Sequence, residues 1–407
     1  MKCGLLGRKL GHSYSPQIHA LLGNYSYQLF EKEPEEIGDF LKNGDFTSLN
    51  VTIPYKKEVI PFLDELSPAA ARLGAVNTIV RRDGKLIGHN TDYFGFRRLV
   101  QESGLQVAGK KVLVLGSGGA SSTAVTVLQE LGAKVTVISR SGENNYENLD
   151  RHADAAVIAN TTPVGMYPNT GKSALSLDGF PRLEGVLDAV YNPARTQILL
   201  DAERRGLAAV NGLWMLVAQA KESAEWFTGE EIPDSRIAKI HHTLRLQMEN
   251  IILIGMPGCG KTAVGQQLAQ KLGKKFVDAD ESLEARVCRK ITDIIPNDGE
   301  AAFREMESET LAELGKQSGL VIATGGGCVT QPQNYPLLHQ NGTIFWLKRE
   351  LDKLPTDGRP LSQKGTLGQM YEARMPLYLR FADAAISNDG SIAETAAAIC
   401  RKLEETT

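Results

Sequence analysis

The sequence predicts an α/β fold in three parts, and three stretches carry that prediction. Two of them are apolar runs that lead into glycine-rich turns and then into helix-like segments: residues 110–115 before Gly116-Ser117-Gly118-Gly119-Ala120, and Ile251-Ile252-Leu253-Ile254 before the segment 255–262. Strand, tight glycine turn and helix in that order form the repeating unit of a doubly wound parallel sheet, because glycines let backbone N–H groups gather around a phosphate at the helix N-terminus. The third is the first hundred residues, where short alternating segments such as Leu49-Asn50-Val51-Thr52-Ile53 end in clusters of amide, hydroxyl and charged side chains. The expected division is 1–100, 101–210 and 250–407, since 407 residues hold two or three domains of ordinary size.

The later glycine turn is the more specific of the two. Gly255, Gly260, Lys261 and Thr262 satisfy G-x-x-x-x-G-K-[ST]. Gly258, Cys259 and Gly260 would cradle a nucleotide's phosphates, Lys261 would reach the β- and γ-phosphates, and Thr262 would offer its hydroxyl to Mg²⁺. The earlier turn is a shortened dinucleotide-binding form, read as Gly116 to Ala120 under a pyrophosphate. The strand after it, residues 134–138, ends in Ser139-Arg140-Ser141, where an NAD site would place an acid for the ribose 2′-hydroxyl. A cation with two hydroxyls suits a 2′-phosphate instead, so NADP(H) is favoured over NAD.

Composition sets the limits. Hydrophobic residues make up 42%, charged residues 23%, and the net charge is −3, which excludes the basic footprint of a nucleic-acid binder. No segment approaches the roughly 18 apolar residues of a membrane span, and the start MKCGLLGRKLGHSYSP lacks a secretory h-region, so a cytoplasmic enzyme is expected. Five cysteines, odd in number and never in a C-x-x-C pair, indicate reduced thiols rather than a disulfide framework or zinc site. A homo-oligomer is left open.

The chain opens with an apolar run bounded by Gly7 and a polar turn, Gly11 to Pro16, with Pro16 fitted to the first turn of a helix and Ser15 as its N-cap. Then come the strand ending at Pro54, which delivers Lys56, and two small-residue edges, Gly74-Ala75-Val76-Asn77-Thr78 and Gly88-His89-Asn90-Thr91-Asp92. Such side chains at several loop edges match the hydroxyls and carboxylate of a small polyhydroxylated acid.

SYSP, NVTIPYK, GAVNT and HNTD stand in the order and near the spacing found in shikimate dehydrogenases, and the resemblance continues through Asn160-Thr161-Thr162-Pro163, Asp188-Ala189-Val190-Tyr191-Asn192-Pro193 and the segment 212–220, covering residues 1 to about 239. It implies Lys56 and Asp92 as the catalytic pair and Ser13, Ser15, Thr52 and Asn77 on the substrate, with Asn50 behind them. Tyr191 is implied beside the nicotinamide and substrate, Gln219 on the substrate, and Thr161 and Gly212 near the cofactor. It also implies that helices in 211–245 return to complete the substrate domain. Trp214 and Met215 read as core. The stretch 19–50 is about ten residues shorter than the family's.

Beyond the phosphate loop, Asp278 and Asp280 end a second strand, Arg304 lies on a helix after Gly299, Gly325-Gly326-Gly327 follow a third strand, Arg359 lies in a polar loop and Arg374 on a late helix. In that order they resemble shikimate kinase over 250 to about 403. The resemblance implies Asp280 on ring hydroxyls, Arg304 and Arg374 on the carboxylate, Gly326 as a substrate contact, Asp278 near Mg²⁺ and Arg359 as a lid cation over ATP. Two paired arginines suit a carboxylate, at roughly 1.5–3 kcal/mol per charged hydrogen bond. Two departures stand out: residues 347–359 are shorter than the family's lid, and Ser387-Asn388-Asp389-Gly390 lacks a basic residue for the adenine. The expectation is a fused enzyme that reduces 3-dehydroshikimate and phosphorylates shikimate. Its rivals are an NAD-dependent quinate/shikimate dehydrogenase, a gluconate-type kinase, and a non-catalytic metabolite sensor built from these folds.

Overall fold

A computed structural model describes residues 1–11, 13–354 and 367–405. The chain forms two compact units, Met1–Val164 with Ser173–Tyr191 and Ile198–His241, and Gly165–Lys172 with Asn192–Gln197 and His242–Thr407.

The first unit holds two sheets. Strands β1 (Lys2–Gly7), β2 (Ser26–Glu31), β3 (Ser48–Val51), β4 (Glu65–Leu66), β5 (Thr78–Arg82) and β6 (Lys85–His89) form a mixed sheet in the order β2-β1-β3-β5-β6-β4. Strands β7 (Lys111–Leu115), β8 (Lys134–Ile138), β9 (Val157–Asn160), β10 (Gly185–Asp188) and β11 (Ala208–Val210) form a parallel sheet in the order β11-β10-β9-β7-β8. The central strands β7 and β9 are buried almost throughout, as a parallel sheet covered on both faces requires. Helix Leu213–Thr228 packs along helix Asp92–Glu102 so closely that a methyl on Gly95 would lie 2.6 Å from the Met215 carbonyl oxygen. Trp214 stacks on His241 at 3.7 Å and Met215 joins the core beneath β7, so both are packing residues.

In the second unit β12 (Asn250–Ile254), β13 (Lys275–Asp278), β14 (Leu320–Ala323), β15 (Gly342–Lys348) and β16 (Ala384–Ser387) form a parallel sheet ordered β13-β14-β12-β15-β16. β12 is wholly buried at its centre and carries the phosphate loop at its end.

Two readings from sequence need correction. Tyr14, not Ser15, occupies the N-cap position of helix Ser15–Leu22: Tyr14 is already in the right-handed helical region (φ −80°, ψ −5°), and no side chain caps the turn. The segments 165–172 and 192–197, read as parts of the dinucleotide domain, belong to the second unit, where the Arg195 N–H donates to the Gln340 carbonyl (2.8 Å) and the Ala194 N–H to Asn341 Oδ1 (2.8 Å). No glycine- or proline-rich linker separates the units; the chain passes from one to the other within helix Ser235–Met248 and enters β12 after Glu249.

Candidate active sites

In the first unit the strand edges converge on Asp92. It opens its helix, and its backbone N–H is held by Asn90 Oδ1 at 3.0 Å. Lys56, delivered by the turn after β3, donates to Asp92 Oδ2 at 2.5 Å, and the buried Asn77 donates from Nδ2 to Asp92 Oδ1 at 2.9 Å. The carboxylate is thus fixed from two sides and the ammonium has one charged partner, with its side chain 28% exposed toward solvent. Gln219 Oε1 lies 3.5 Å from Asn77 Nδ2 and 3.4 Å from Thr91 Oγ1, which aligns helix Leu213–Thr228 with the same pair. Ser13 accepts the Ser15 N–H through Oγ at 3.2 Å, while Thr52 sits half-buried just past β3.

A buried lattice of hydroxyls and amides supports these residues. Asn50 donates to Ser223 Oγ at 2.8 Å and accepts from the Tyr27 hydroxyl at 2.7 Å; Ser223 in turn meets Thr78 at 2.8 Å and Thr91 at 3.0 Å. Tyr27 also reaches Ser15. His19 stacks on Tyr27 (4.1 Å) with its pKa pushed down to about 3 by burial, so it stays neutral. Tyr27 and Ser223 were missed from sequence because nothing in their local patterns sets them apart from core. Tyr14 was missed as well; its ring meets Tyr191 edge-on at 6.1 Å, and burial raises the pKa of both phenols.

The glycine turn after β7 has the shape a pyrophosphate needs. Gly116 has φ 107°, and a methyl there would press on Thr161 Oγ1 at 3.1 Å, whereas Gly118 and Gly119 would meet nothing within 4 Å. Helix Gly119–Glu130 starts behind Gly118 with no side-chain cap, leaving its first N–H groups to a ligand. Ser117 and Arg140 are exposed, and Ser139 and Ala120 half-buried, around it. Thr161 donates to the Leu115 carbonyl at 2.6 Å. Gly212 is required by packing: a methyl would fall 2.1 Å from the Ala189 carbonyl oxygen.

In the second unit the phosphate loop and the acid-reading residues share one cavity of about 530 Å³. Gly258 (φ 83°) and Gly260 (φ 97°) take left-handed conformations, and a methyl on Gly255 would lie 2.6 Å from the Leu347 carbonyl oxygen and 2.9 Å from Cys259 Sγ. Lys261 is buried and donates to the Gly255 and Met256 carbonyls at 3.0 and 3.1 Å. Thr262 Oγ1 donates to Asp278 Oδ2 at 3.1 Å, an all-oxygen pair of the type that holds Mg²⁺, while Asp278 Oδ1 caps the next helix at the Asp280 N–H (3.0 Å). Asp280 faces the cavity. Burial first, then the charges of Asp278 and Glu307, push its carboxyl up to about 6.

Arg304, 6% exposed, donates to Glu307 Oε2 at 2.8 Å and Glu300 Oε1 at 3.1 Å. Gly327 makes room for it, since a methyl there would stand 2.2 Å from the guanidinium. Arg374 NH1 and the Tyr378 hydroxyl both donate to the Gly326 carbonyl, at 3.3 and 2.5 Å. Glu307, which the sequence reading did not single out, is buried with Oε1 unpaired and facing Gly325. An acid three positions after an arginine on a helix reads as a surface ion pair until the third strand is laid over it. Arg359 lies outside the described residues. Among the described residues no cluster of three or more His, Cys, Asp or Glu forms a metal site, all five cysteines are free, and no helix is long and apolar enough to cross a membrane.

A dinucleotide-type sheet beside a Lys–Asp pair defines an oxidoreductase; a phosphate loop opening into an arginine-lined cavity defines a small-molecule kinase. Comparison with known proteins makes both more particular. The family model for the shikimate dehydrogenase substrate binding domain matches residues 5–79, and that for shikimate kinase matches residues 257–404. The NADP(+) shikimate dehydrogenase of Clostridium perfringens strain SM101 is 37% identical over 264 residues, covering 60% of this chain and 97% of the relative. Among solved structures, shikimate dehydrogenase 1 of Peptoclostridium difficile is 38% identical with a TM-score of 0.56, over 60% of this chain and 98% of its own. A chorismate mutase/shikimate 5-dehydrogenase fusion protein of Clostridium acetobutylicum is 36% identical with a TM-score of 0.57, over 60% and 96%. The chain belongs to the shikimate dehydrogenase family and carries a shikimate kinase domain behind it, which makes it a bifunctional enzyme of the shikimate pathway.

Proposed function

We propose that the first unit reduces 3-dehydroshikimate to shikimate with NADPH and that the second transfers the γ-phosphoryl group of MgATP to the 3-hydroxyl so formed. NADPH would supply the hydride. Lys56 then gives a proton to the ketone oxygen, Asp92 holds the ammonium in line, and Asn77 keeps Asp92 from turning away. Ser13, Ser15, Thr52, Tyr191 and Gln219 hold the ring, and Gly116 to Ala120, Ser139, Arg140, Thr161 and Gly212 hold the dinucleotide. The open, uncapped turn at Gly118 and Gly119 supports this, as does a cation at Arg140 where an NAD site would place an acid.

In the kinase, Mg²⁺ held near Thr262 and Asp278 would neutralise phosphate charge. Asp280 accepts the proton of the attacking hydroxyl, Lys261 and the N–H groups of 258–262 hold the phosphates, Arg359 closes over them, and Arg304, Arg374 and Gly326 hold the acid. The observation that carries this reading is the single cavity lined by the phosphate loop, Asp280, Arg304 and Arg374, a layout suited to bringing a phosphate donor and a hydroxy acid together. The oxygen reduced in the first step is the acceptor in the second. A cytoplasmic site of action is part of the proposal, because both cofactors are drawn from that pool.

The experiment is to incubate the pure protein with 3-dehydroshikimate, NADPH and MgATP, omitting one at a time. NADPH oxidation without ATP, and phosphate transfer to added shikimate without NADPH, are the expected pair; a sensor would give neither.

A further inference from the structure

Asp280 follows β13 and the glycines 325–327 follow β14, so the acid-binding wall lies on one side of the central strand β12. Strands β15 and β16 lie on the other side. A triphosphate held in the loop with its γ end toward Asp280 must therefore send its nucleoside out past β15 and β16.

Asn388, at the end of β16, has no amide group to spare there. Its Nδ2 donates to the Cys259 carbonyl at 2.6 Å, and its Oδ1 accepts from Thr395 at 2.7 Å, so it braces the phosphate loop from behind. Arg349 is different. Its backbone is pinned between two contacts, Asn388 N–H to the Lys348 carbonyl (2.7 Å) and Glu350 N–H to Asp389 Oδ1 (2.9 Å). Its NH1 lies 3.9 Å from where a methyl on Gly260 would stand, at the rim of the loop. Its Nε is buried without a hydrogen-bond partner. The nearby carboxylates are engaged elsewhere: Glu350 pairs with Lys353 at 2.7 Å, and Asp389 accepts from the Glu350 N–H and Ser387. A half-buried guanidinium with a buried, unpaired N–H loses hydration and regains nothing within the chain, so its position is explained by a ligand.

We propose that Arg349 holds the nucleoside end of ATP, its planar cation laid against the purine. This rests on the kinase reading and supplies the base contact that the turn 387–390 lacks. Arginine suits the role because its delocalised plane stacks on aromatic faces while its edge remains free to bond.

Binding of MgADP and of inorganic tripolyphosphate to the full-length protein, followed by calorimetry, tests it without requiring turnover. Arg349→Ala should weaken MgADP by roughly three- to thirty-fold and leave tripolyphosphate, which has no base, unchanged. Arg349→Lys, which keeps the charge but not the plane, should lose most of the same affinity, and an unchanged thermal unfolding profile would show that both variants fold. Equal weakening of MgADP and tripolyphosphate, no weakening of either, or full recovery by lysine would overturn the proposal. If the kinase reading itself were wrong, the parent protein would fail to phosphorylate shikimate while the binding contrast could still be measured.

Discussion

Asp280 shows how burial sets chemistry at the level of one side chain. With its carboxyl pushed up to about 6, the base form exists above that pH and is lost as pH falls through it. Kinase kcat/KM with saturating MgATP should therefore fall about tenfold per pH unit below 6; a flat profile down to pH 5 would remove Asp280 from the role of base. The same shift says that ionised Asp280 is disfavoured in the fold, so stability is lost as pH rises from the unfolded-state value, about 3.9, through 6. Asp280→Asn should thus be no less stable at pH 7 while losing on the order of 100- to 10,000-fold in phosphate transfer. At the other site, Arg140→Ala should weaken NADPH by about 1.5–3 kcal/mol and leave NADH nearly unchanged; equal losses would mean that the exposed guanidinium does not read the 2′-phosphate. Single residues of this kind were legible from sequence because each closes a short motif. Glu307, Tyr27 and Ser223 were not, since their partners lie on elements distant in the chain and only the sheet brings them together.

Elements explain why some glycines cannot vary. Gly327 stands where a methyl would run into the Arg304 guanidinium, and Gly95 where one would strike the backbone of helix Leu213–Thr228. Gly327→Ala should raise the shikimate requirement of the kinase and leave ATP binding alone, because it displaces an acid-reading arginine and not the phosphate loop; a loss of ATP affinity instead would mean that Arg304 is misassigned. Gly95→Ala should destabilise the first unit by about 1–3 kcal/mol as helices 92–102 and 213–228 are forced apart, read as a lower thermal midpoint for that unit. The strands carrying the motifs were readable as elements: residues 134–138, 250–254 and 275–278 have the apolar, β-branched character of strands buried in a parallel sheet. The helix start at Ser15 was not, because a Ser-Pro pair suits an N-cap and a first turn equally well and only the backbone of Tyr14 decides between them.

At the scale of the molecule, two complete catalytic kits sit in two units, each with its own sheet and core. The sequence indicated this through two separate strand–glycine–helix signatures. It did not indicate that the short segments 165–172 and 192–197 would be counted with the second unit, since backbone hydrogen bonds such as that from Arg195 to Gln340 leave no mark on residue type. The central claim is that one chain houses two chemistries that can be removed separately. Lys56 serves proton transfer at one site and Lys261 phosphate charge at the other, so the most direct measurement is both activities in Lys56→Ala and in Lys261→Ala, with folding checked by thermal unfolding. Lys56→Ala should lose on the order of 100- to 10,000-fold in NADPH oxidation and phosphorylate added shikimate at nearly the parent rate, and Lys261→Ala should do the reverse; well-folded variants that each lose both activities, or neither, would contradict the account.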